Sequence, residues 1–194
     1  MHWRDRAMRR PNVNEPGHAH ELTFSCFQGF PFLKSESTCQ WLAEAIDEAR
    51  AKHDFALWAY VFMPGHVHLL IFPKRLQYDI ALIRKAIKEP VGRKAIKYLR
   101  AEAPEWLPRL EVKRGSHIEH RFWQAGGGYD RNAYELETIW AMIEYIHANP
   151  VRRGLVEYAE TWKWSSAGWF ERKNTLRPDL VDLGGLFLAR PGKG

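Results

Sequence analysis

Cysteine is nearly absent from this 194-residue sequence: Cys26 and Cys39 are the only two. Two thiols are too few for a disulfide framework or a cysteine-based zinc site. No stretch approaches the ~18 consecutive apolar residues of a membrane span. The N-terminal MHWRDRAMRRPNVNEPGHAH carries arginines but no apolar run behind them, so it does not read as a secretory signal. There is no internal repeat. These absences lead to the expectation of a cytoplasmic protein in a reducing compartment, without a membrane partner. Acidic residues are also outnumbered, 23 Asp and Glu against 29 Lys and Arg, for a formal charge of +6. That excess favours a polyanionic partner, although a merely basic soluble protein would look the same. Aromatics, by contrast, are plentiful, with nine Trp and 13% Phe, Trp and Tyr. Aromatic rings fill cores, and they also stack on the unpaired bases of single-stranded nucleic acid.

Residues 1–17 read as a basic arm holding Arg4, Arg6, Arg9 and Arg10, residues 18–150 as the main domain, and 151–194 as a basic, Trp-rich and partly disordered tail. Within the domain, period-two patterning predicts strands over His20–Phe27, Phe55–Phe62, His66–Phe72 and His117–Trp123. Period-3.6 patterning predicts a helix over Ser35–Lys52 with Ser37 as N-cap, and a second over Gln77–Ala101, interrupted at Pro90. A third, over Ala133–Ala148, starts from Asn132 and Glu135 and stops at Pro150. Pro104–Gly115 reads as a linker, and Gly126-Gly127-Gly128 as a hinge or a close backbone approach. The order β-α-β-β-α-β-α predicts an α+β fold: a ferredoxin-like split βαβ antiparallel sheet with helices on one face and a C-terminal extension. The first and third strands are then central neighbours.

The stretch WAYVFMPGHVHLLIFP (Trp58–Pro73) reads as a hairpin turned by Met63-Pro64-Gly65. Alternation puts His66 and His68 on one face of its second strand. Such a pair is half of a metal site, or an incidental core feature. A second pair, His18 and His20, sits at a loop–strand boundary and reads as structural or DNA-contacting. On the third helix Leu136, Ile139, Trp140, Ile143 and Ile146 form one apolar stripe. Tyr145 lies opposite its centre and shares a face with Thr138, Met142 and Asn149. Tyr145 is either an ordinary surface residue or a displayed reactive group, and Asn149 before Pro150 is either a cap or its companion. The second helix carries Arg84, Lys85, Lys88, Arg93, Lys94, Lys97 and Arg100, which form a solvated face or a cradle for phosphates.

Three segments together, FMPG-His66-V-His68-LL, the later FWQ, and IE-Tyr145-IHA-Asn149-PVRRGL followed by WKWSS, resemble the HUH single-tyrosine transposases. Within them the similarity is to the REP-associated tyrosine transposase branch, over roughly Leu22 to Ser166. The resemblance implies metal-dependent cleavage and rejoining of single-stranded, hairpin DNA through a 5′-phosphotyrosine. It implies Tyr145 as nucleophile, His66 and His68 as metal ligands with Asn149 as a third, and Mg²⁺ or Mn²⁺ as the ion. Arg84, Lys85, Lys88, Arg93, Lys94, Lys97, Arg152 and Arg153 would contact DNA, and exposed Trp residues of the tail would stack on bases. The working unit would be a monomer or a homodimer. A domesticated hairpin-DNA-binding protein without turnover is the alternative. A His-based metallohydrolase using water is a third, against which the pairing of Tyr145 with Asn149 argues.

Overall fold

Three apolar strands, β1 (Ala19–Ser25), β2 (Phe55–Met63) and β3 (His66–Pro73), form the heart of the molecule. The computed structural model describes residues 13–172 and 177–186. The predicted arm to Asn12, with its four arginines, and the last eight residues lie outside these. β3 pairs antiparallel with β2 on one side and β1 on the other. The β2–β3 turn is tight for a local reason. A side chain on Gly65 would begin 2.7 Å from the Gly29 carbonyl oxygen, and Gly65's own carbonyl accepts the Cys26 N–H at 2.8 Å. The hairpin tip is thereby locked to the turn that follows β1.

The fourth sheet position is not filled by His117–Trp123. Residues Glu111–Arg114 (β4) and His117–His120 (β5) pair only with each other, and the sheet order is completed by Tyr129–Ala133 (β6) as β2-β3-β1-β6. The physical reason is burial. The segment His117–His120 is polar and has no fully buried position, so it has no apolar face to give a sheet. β6 contributes Ala133 to the core and runs in register along β1. The glycine run makes this approach possible: at Gly128, with φ of +73°, a Cβ would overlap the Thr23 carbonyl. Asn132 consequently lies in β6, where its amide donates to the Val13 carbonyl (2.7 Å), rather than at a helix start. With β6 as its fourth strand the sheet has the expected ferredoxin-like order.

The helices are longer than proline alone predicts. α1 spans Glu36–His53 and is preceded by Ser35, not Ser37, as N-cap. α2 spans Ile80–Glu102 without a break at Pro90. Ile83, Ile87, Val91 and Ala95 keep one continuous stripe in the core, and that burial outweighs the hydrogen bond the proline removes. A short α3 (Leu107–Leu110) leads into β4. α4 spans Leu136–Arg152 and likewise runs through Pro150. α5 is a single turn, Ala167–Phe170. Among the described residues no helix is long and apolar enough to cross a membrane.

Two cores result. α1 and α2 pack on the sheet face formed by Leu22, Phe24, Val67, Leu69 and Ile71. α4 packs on the opposite face through Ile139, Met142, Ile143 and Ile146, against Trp58, Val61, Met63 and Leu70. The one-face arrangement therefore holds for α1 and α2, and α4 brings its residues to the other side of the sheet. β2 stands at the sheet edge, yet every one of its residues is buried. Its free backbone groups are taken up by the C-terminal segment: Phe62 N–H donates to Trp164 O (2.8 Å) and Ser166 N–H to Tyr60 O (3.0 Å). Of the tail Trp residues expected to stack on bases, Trp162 and Trp164 serve this closure. Trp164 is buried against Phe62, and the Trp162 indole donates to the Phe62 carbonyl at 2.9 Å.

Candidate active site and nucleic-acid interface

Register fixes where the two histidines lie. His68 stands opposite Thr23 of β1 and Val61 of β2, and His66 opposite Ser25 and Met63. Both share the α4 face, as the alternation along β3 requires, with ring centroids 5.1 Å apart. His68 is buried at 6% exposure, and its Nδ1 lies 2.9 Å from the Thr23 hydroxyl and 3.9 Å from the Glu21 carboxyl. A ring nitrogen engaged on the β1 side leaves Nε2 as the one to face outward. Burial holds the His68 imidazole down to about 4, helped by the neighbouring His66 and Arg153. His66 is lowered by burial and then by Arg153. Both rings are thus neutral near pH 7, with lone pairs available to a cation.

α4 supplies the rest. Tyr145 is 43% exposed, and its ring meets His68 edge-on at 5.9 Å between centroids. The Arg152 guanidinium lies over the same ring, 4.9 Å from its centre. Arg152 and Arg153 close the C-terminal end of α4, where the helix dipole favours cations, and Arg153 acts on both histidines. Asn149 is buried, and its Nδ2 donates to the Tyr145 carbonyl at 2.9 Å. The amide is therefore half committed to its own helix, with the Oδ1 end as its remaining acceptor. Two neutral imidazoles and an amide oxygen are a donor set a divalent cation accepts. Among the described residues no three His, Cys, Asp or Glu side chains gather tightly enough to hold a metal.

A cavity of about 790 Å³ opens beside Tyr145 and His68, between α4 and the β1–β6 end of the sheet. Thr138 and Met142 line it from α4, on the face predicted for them, and Glu21, Thr23 and Tyr129 line it from the strands. Glu21 was not anticipated. Its carboxyl is raised by burial, partly countered by Arg131 across the β1–β6 pair. The signal was present in the alternation of β1: Leu22 and Phe24 feed the α1–α2 core, so Glu21 and Thr23 must face His68.

The cationic residues divide between the two sheet faces. A second cavity, of about 910 Å³, runs along α2 and is floored by Phe122 and Trp123. Lys85, Lys97 and Arg100 are exposed along it. Arg84 is buried beneath the glycine loop, where a Cβ on Gly127 would come within 2.6 Å of its Nη2. Lys88 donates to the Gly126 carbonyl at 3.2 Å, and burial and Arg84 lower it to about 8. These two side chains fasten the loop. Lys94 turns away to Glu44 and the Trp41 ring of α1, and Arg93 pairs with Glu89 at 3.1 Å. Of the second histidine pair, His20 is fully buried between Asp130 (2.8 Å) and the Tyr78 hydroxyl (2.7 Å), tying β1 to β6 and to the segment before α2. His18 stacks on Tyr134 at 5.0 Å.

The same architecture occurs in a solved structure of a REP-associated tyrosine transposase bound to a REP hairpin. That structure matches with a TM-score of 0.64 and 18% identity, covering 94% of this chain and 98% of that chain. The antiparallel α+β fold is therefore shared with a tyrosine transposase across nearly the whole of both chains. A candidate transposase from Deinococcus radiodurans also matches, at a TM-score of 0.43 and 19% identity, over 73% of this chain and 95% of that one. No family model matches the sequence, and no curated protein does.

Proposed function

We propose that this chain is a transposase-like DNA strand transferase of the HUH single-tyrosine family, in its REP-associated branch, acting on single-stranded hairpin DNA. The observation that supports it most is the convergence of Tyr145, His68, Arg152 and Arg153 at one point of a fold shared with a REP-associated tyrosine transposase. A phosphodiester resists attack because it is anionic and its leaving alkoxide is poor. Arg152, stacked over the nucleophile's own ring, holds the scissile phosphate near the phenolic oxygen by charge-assisted hydrogen bonds. Arg153 adds positive potential on the histidine side. His66 and His68, with the Asn149 amide oxygen, would hold Mg²⁺ or Mn²⁺, which supplies polarisation of the phosphate when bound. Thr23 keeps the His68 ring in orientation for that task.

In the reaction the Tyr145 oxygen forms a bond to phosphorus and the bond from phosphorus to the 3′ oxygen breaks. The phenolic proton is lost to solvent, and the departing 3′ oxygen takes one up. The products are a 5′-phosphotyrosine and a free 3′-OH, and because no water is consumed a 3′-OH can reverse the step onto a new strand. The α2 groove, with Lys85, Lys97 and Arg100, would take the phosphates of the hairpin. The test is a labelled hairpin with a single-stranded flank, incubated with Mg²⁺ or Mn²⁺. A covalent protein–DNA adduct is expected with wild type and none with Tyr145→Phe, while hairpin binding is retained; an adduct formed by Tyr145→Phe overturns the assignment.

A second reading, a hairpin-binding protein without turnover, is favoured by one contact, the hydrogen bond that ties the Asn149 amide to its own helix. Binding that ignores chelator, with no adduct in either metal, would select it.

A further inference from the structure

We propose that Arg84 and Lys88, beneath the glycine loop, form a binding site for a small tetrahedral oxyanion of the phosphate class, separate from the DNA path. The site lies on the α1–α2 side of the sheet, away from Tyr145, and does not rest on the strand-transferase reading. Arg84 is a buried charge without a counter-charge. It is 7% exposed, it lines the α2 cavity, and among the described residues no hydrogen bond or ion pair ends on its guanidinium. The loop meets it by contact alone, so closely that a Cβ on Gly127 would come within 2.6 Å of Nη2. The charged group beside it is a second cation: burial, and then Arg84, lower Lys88 to about 8. Buried charges are almost always paired, and two like charges side by side add to the cost. An anion that reaches both removes that cost.

The surroundings set the kind of ligand. Lys88 already donates to the Gln124 and Gly126 carbonyls, at 3.4 and 3.2 Å, which leaves one of its three protons. Arg84 has its whole planar fork of donors to offer. A fork and an ammonium side by side match the oxygens of a tetrahedral anion. Glu89, the acidic residue of the cavity lining, is held by Arg93 at 3.1 Å and does not compete. The Trp123 indole donates to the Lys88 carbonyl at 2.8 Å, which fixes the floor. Depth separates Arg84 from the other cations of the groove. Lys85, Lys97 and Arg100 stand in solvent, where the phosphates of a DNA backbone run, whereas Arg84 is buried behind them and suits a compact ion. Inorganic phosphate fits that description.

Sulfate has the same shape and does not titrate near neutral pH, so it serves as the probe. Calorimetry at constant ionic strength is expected to show saturable sulfate binding by wild type. Arg84→Gln should weaken it at least ~10-fold, the loss expected when hydrogen bonds to a charged group are removed. Lys97→Gln, in the exposed part of the same groove, should change it by no more than ~2-fold. Thermal unfolding gives a second readout. In chloride Arg84→Gln should melt at or above the wild-type temperature, because it removes an unpaired buried charge, and low millimolar sulfate should then raise wild type alone. Absence of saturable sulfate binding in wild type overturns the proposal, and that measurement needs no variant to fold. A variant destabilised in chloride that still binds sulfate equally well also overturns it, since Arg84 would then serve only to pack the loop. Displacement of sulfate by saturating hairpin DNA would assign Arg84 to the DNA path and overturn a separate site, while simultaneous binding upholds it. None of these outcomes depends on whether a covalent adduct forms.

Discussion

The two faces of the sheet hold different chemistry. On the α1–α2 face the groove beside α2 is wide, and Lys85, Lys97 and Arg100 stand in solvent on an aromatic floor, while Arg84 and Lys88 hold the glycine loop. On the α4 face three polar groups are buried beside the exposed Tyr145: His68 and Asn149 are each under a tenth exposed, as is Glu21. Exposed cations attract polyanions of any sequence at long range, while buried, oriented groups act on one bound group at short range. The comparison implies that affinity and chemistry can be separated by mutation, one face at a time. The sharpest test is Tyr145→Phe. Loss of the phenolic oxygen should reduce covalent adduct by on the order of 10³-fold or more, while the hairpin dissociation constant stays within ~2-fold. A parallel loss of binding would join the two faces into a single function.

Acidification should strike the α4 face next. His68 and His147 are both held down to about 4 by burial, against an ordinary value of 6.5. Between those values the unfolded chain binds protons that the folded chain refuses, so stability falls as pH drops from 6.5 toward 4 and is level above that window. At pH 5 each histidine costs about 2 kcal/mol relative to pH 7. His147 also carries the hydrogen bond to Ser166 Oγ (2.8 Å) that links α4 to the segment closing β2. Urea unfolding at pH 7 and pH 5 should therefore show a lower midpoint in acid, and His147→Gln should remove its share of the difference. A flat profile would mean that neither ring is buried neutral.

What could be read from the sequence follows physical range. The H-x-H spacing fixes a shared face because strand geometry is local, and the register bears that geometry out. Tyr145, Thr138 and Met142 were aligned by helical period alone, and they do line one cavity. The fourth strand was misread because His117–Trp123 has strand-like residues, while the choice between it and Tyr129–Ala133 depends on a contact across the molecule. Gly128 must approach Thr23, and only the glycine run allows it. Proline was over-weighted at Pro90 and Pro150, where long apolar stripes decide the outcome. Nothing local to Trp162 and Trp164 reveals that β2 is an edge needing cover, so their role at that edge is legible only in the fold. Glu21 lies on the side of β1 opposite Leu22 and Phe24, and its place beside His68 follows from the pairing of β1 with β3, which the sequence of β1 alone does not show.

The orientation of His68 offers a finer cut within the α4 face. Thr23→Val keeps shape and removes the hydroxyl at 2.9 Å from Nδ1. Loss of such a supporting partner typically costs ~10–100-fold in metal affinity. Mn²⁺ titration of adduct formation should show the half-saturating concentration rising by that factor, with hairpin affinity in chelator unchanged. Unaltered Mn²⁺ dependence would remove Thr23 from the site.

The smallest effect belongs to the α2 groove, and it is the one that measures the groove's share of binding. Lys97 is exposed and lines the groove, without the contacts that tie up Lys88 to the glycine loop or Lys94 to α1. If it neutralises one phosphate, Lys97→Ala should weaken hairpin binding only a few-fold at moderate salt. It should also reduce the slope of log affinity against log salt by ~0.7–0.9, depending on whether the contacted strand is single or paired. Lys94→Ala, by contrast, removes a cation already turned toward Glu44, and should leave that slope where it was. Equal slopes for the two variants would show that position along α2 does not matter and that the cationic face acts only through its total charge. A difference confined to Lys97 places the phosphate track in the groove floored by Phe122 and Trp123, on the far side of the sheet from Tyr145.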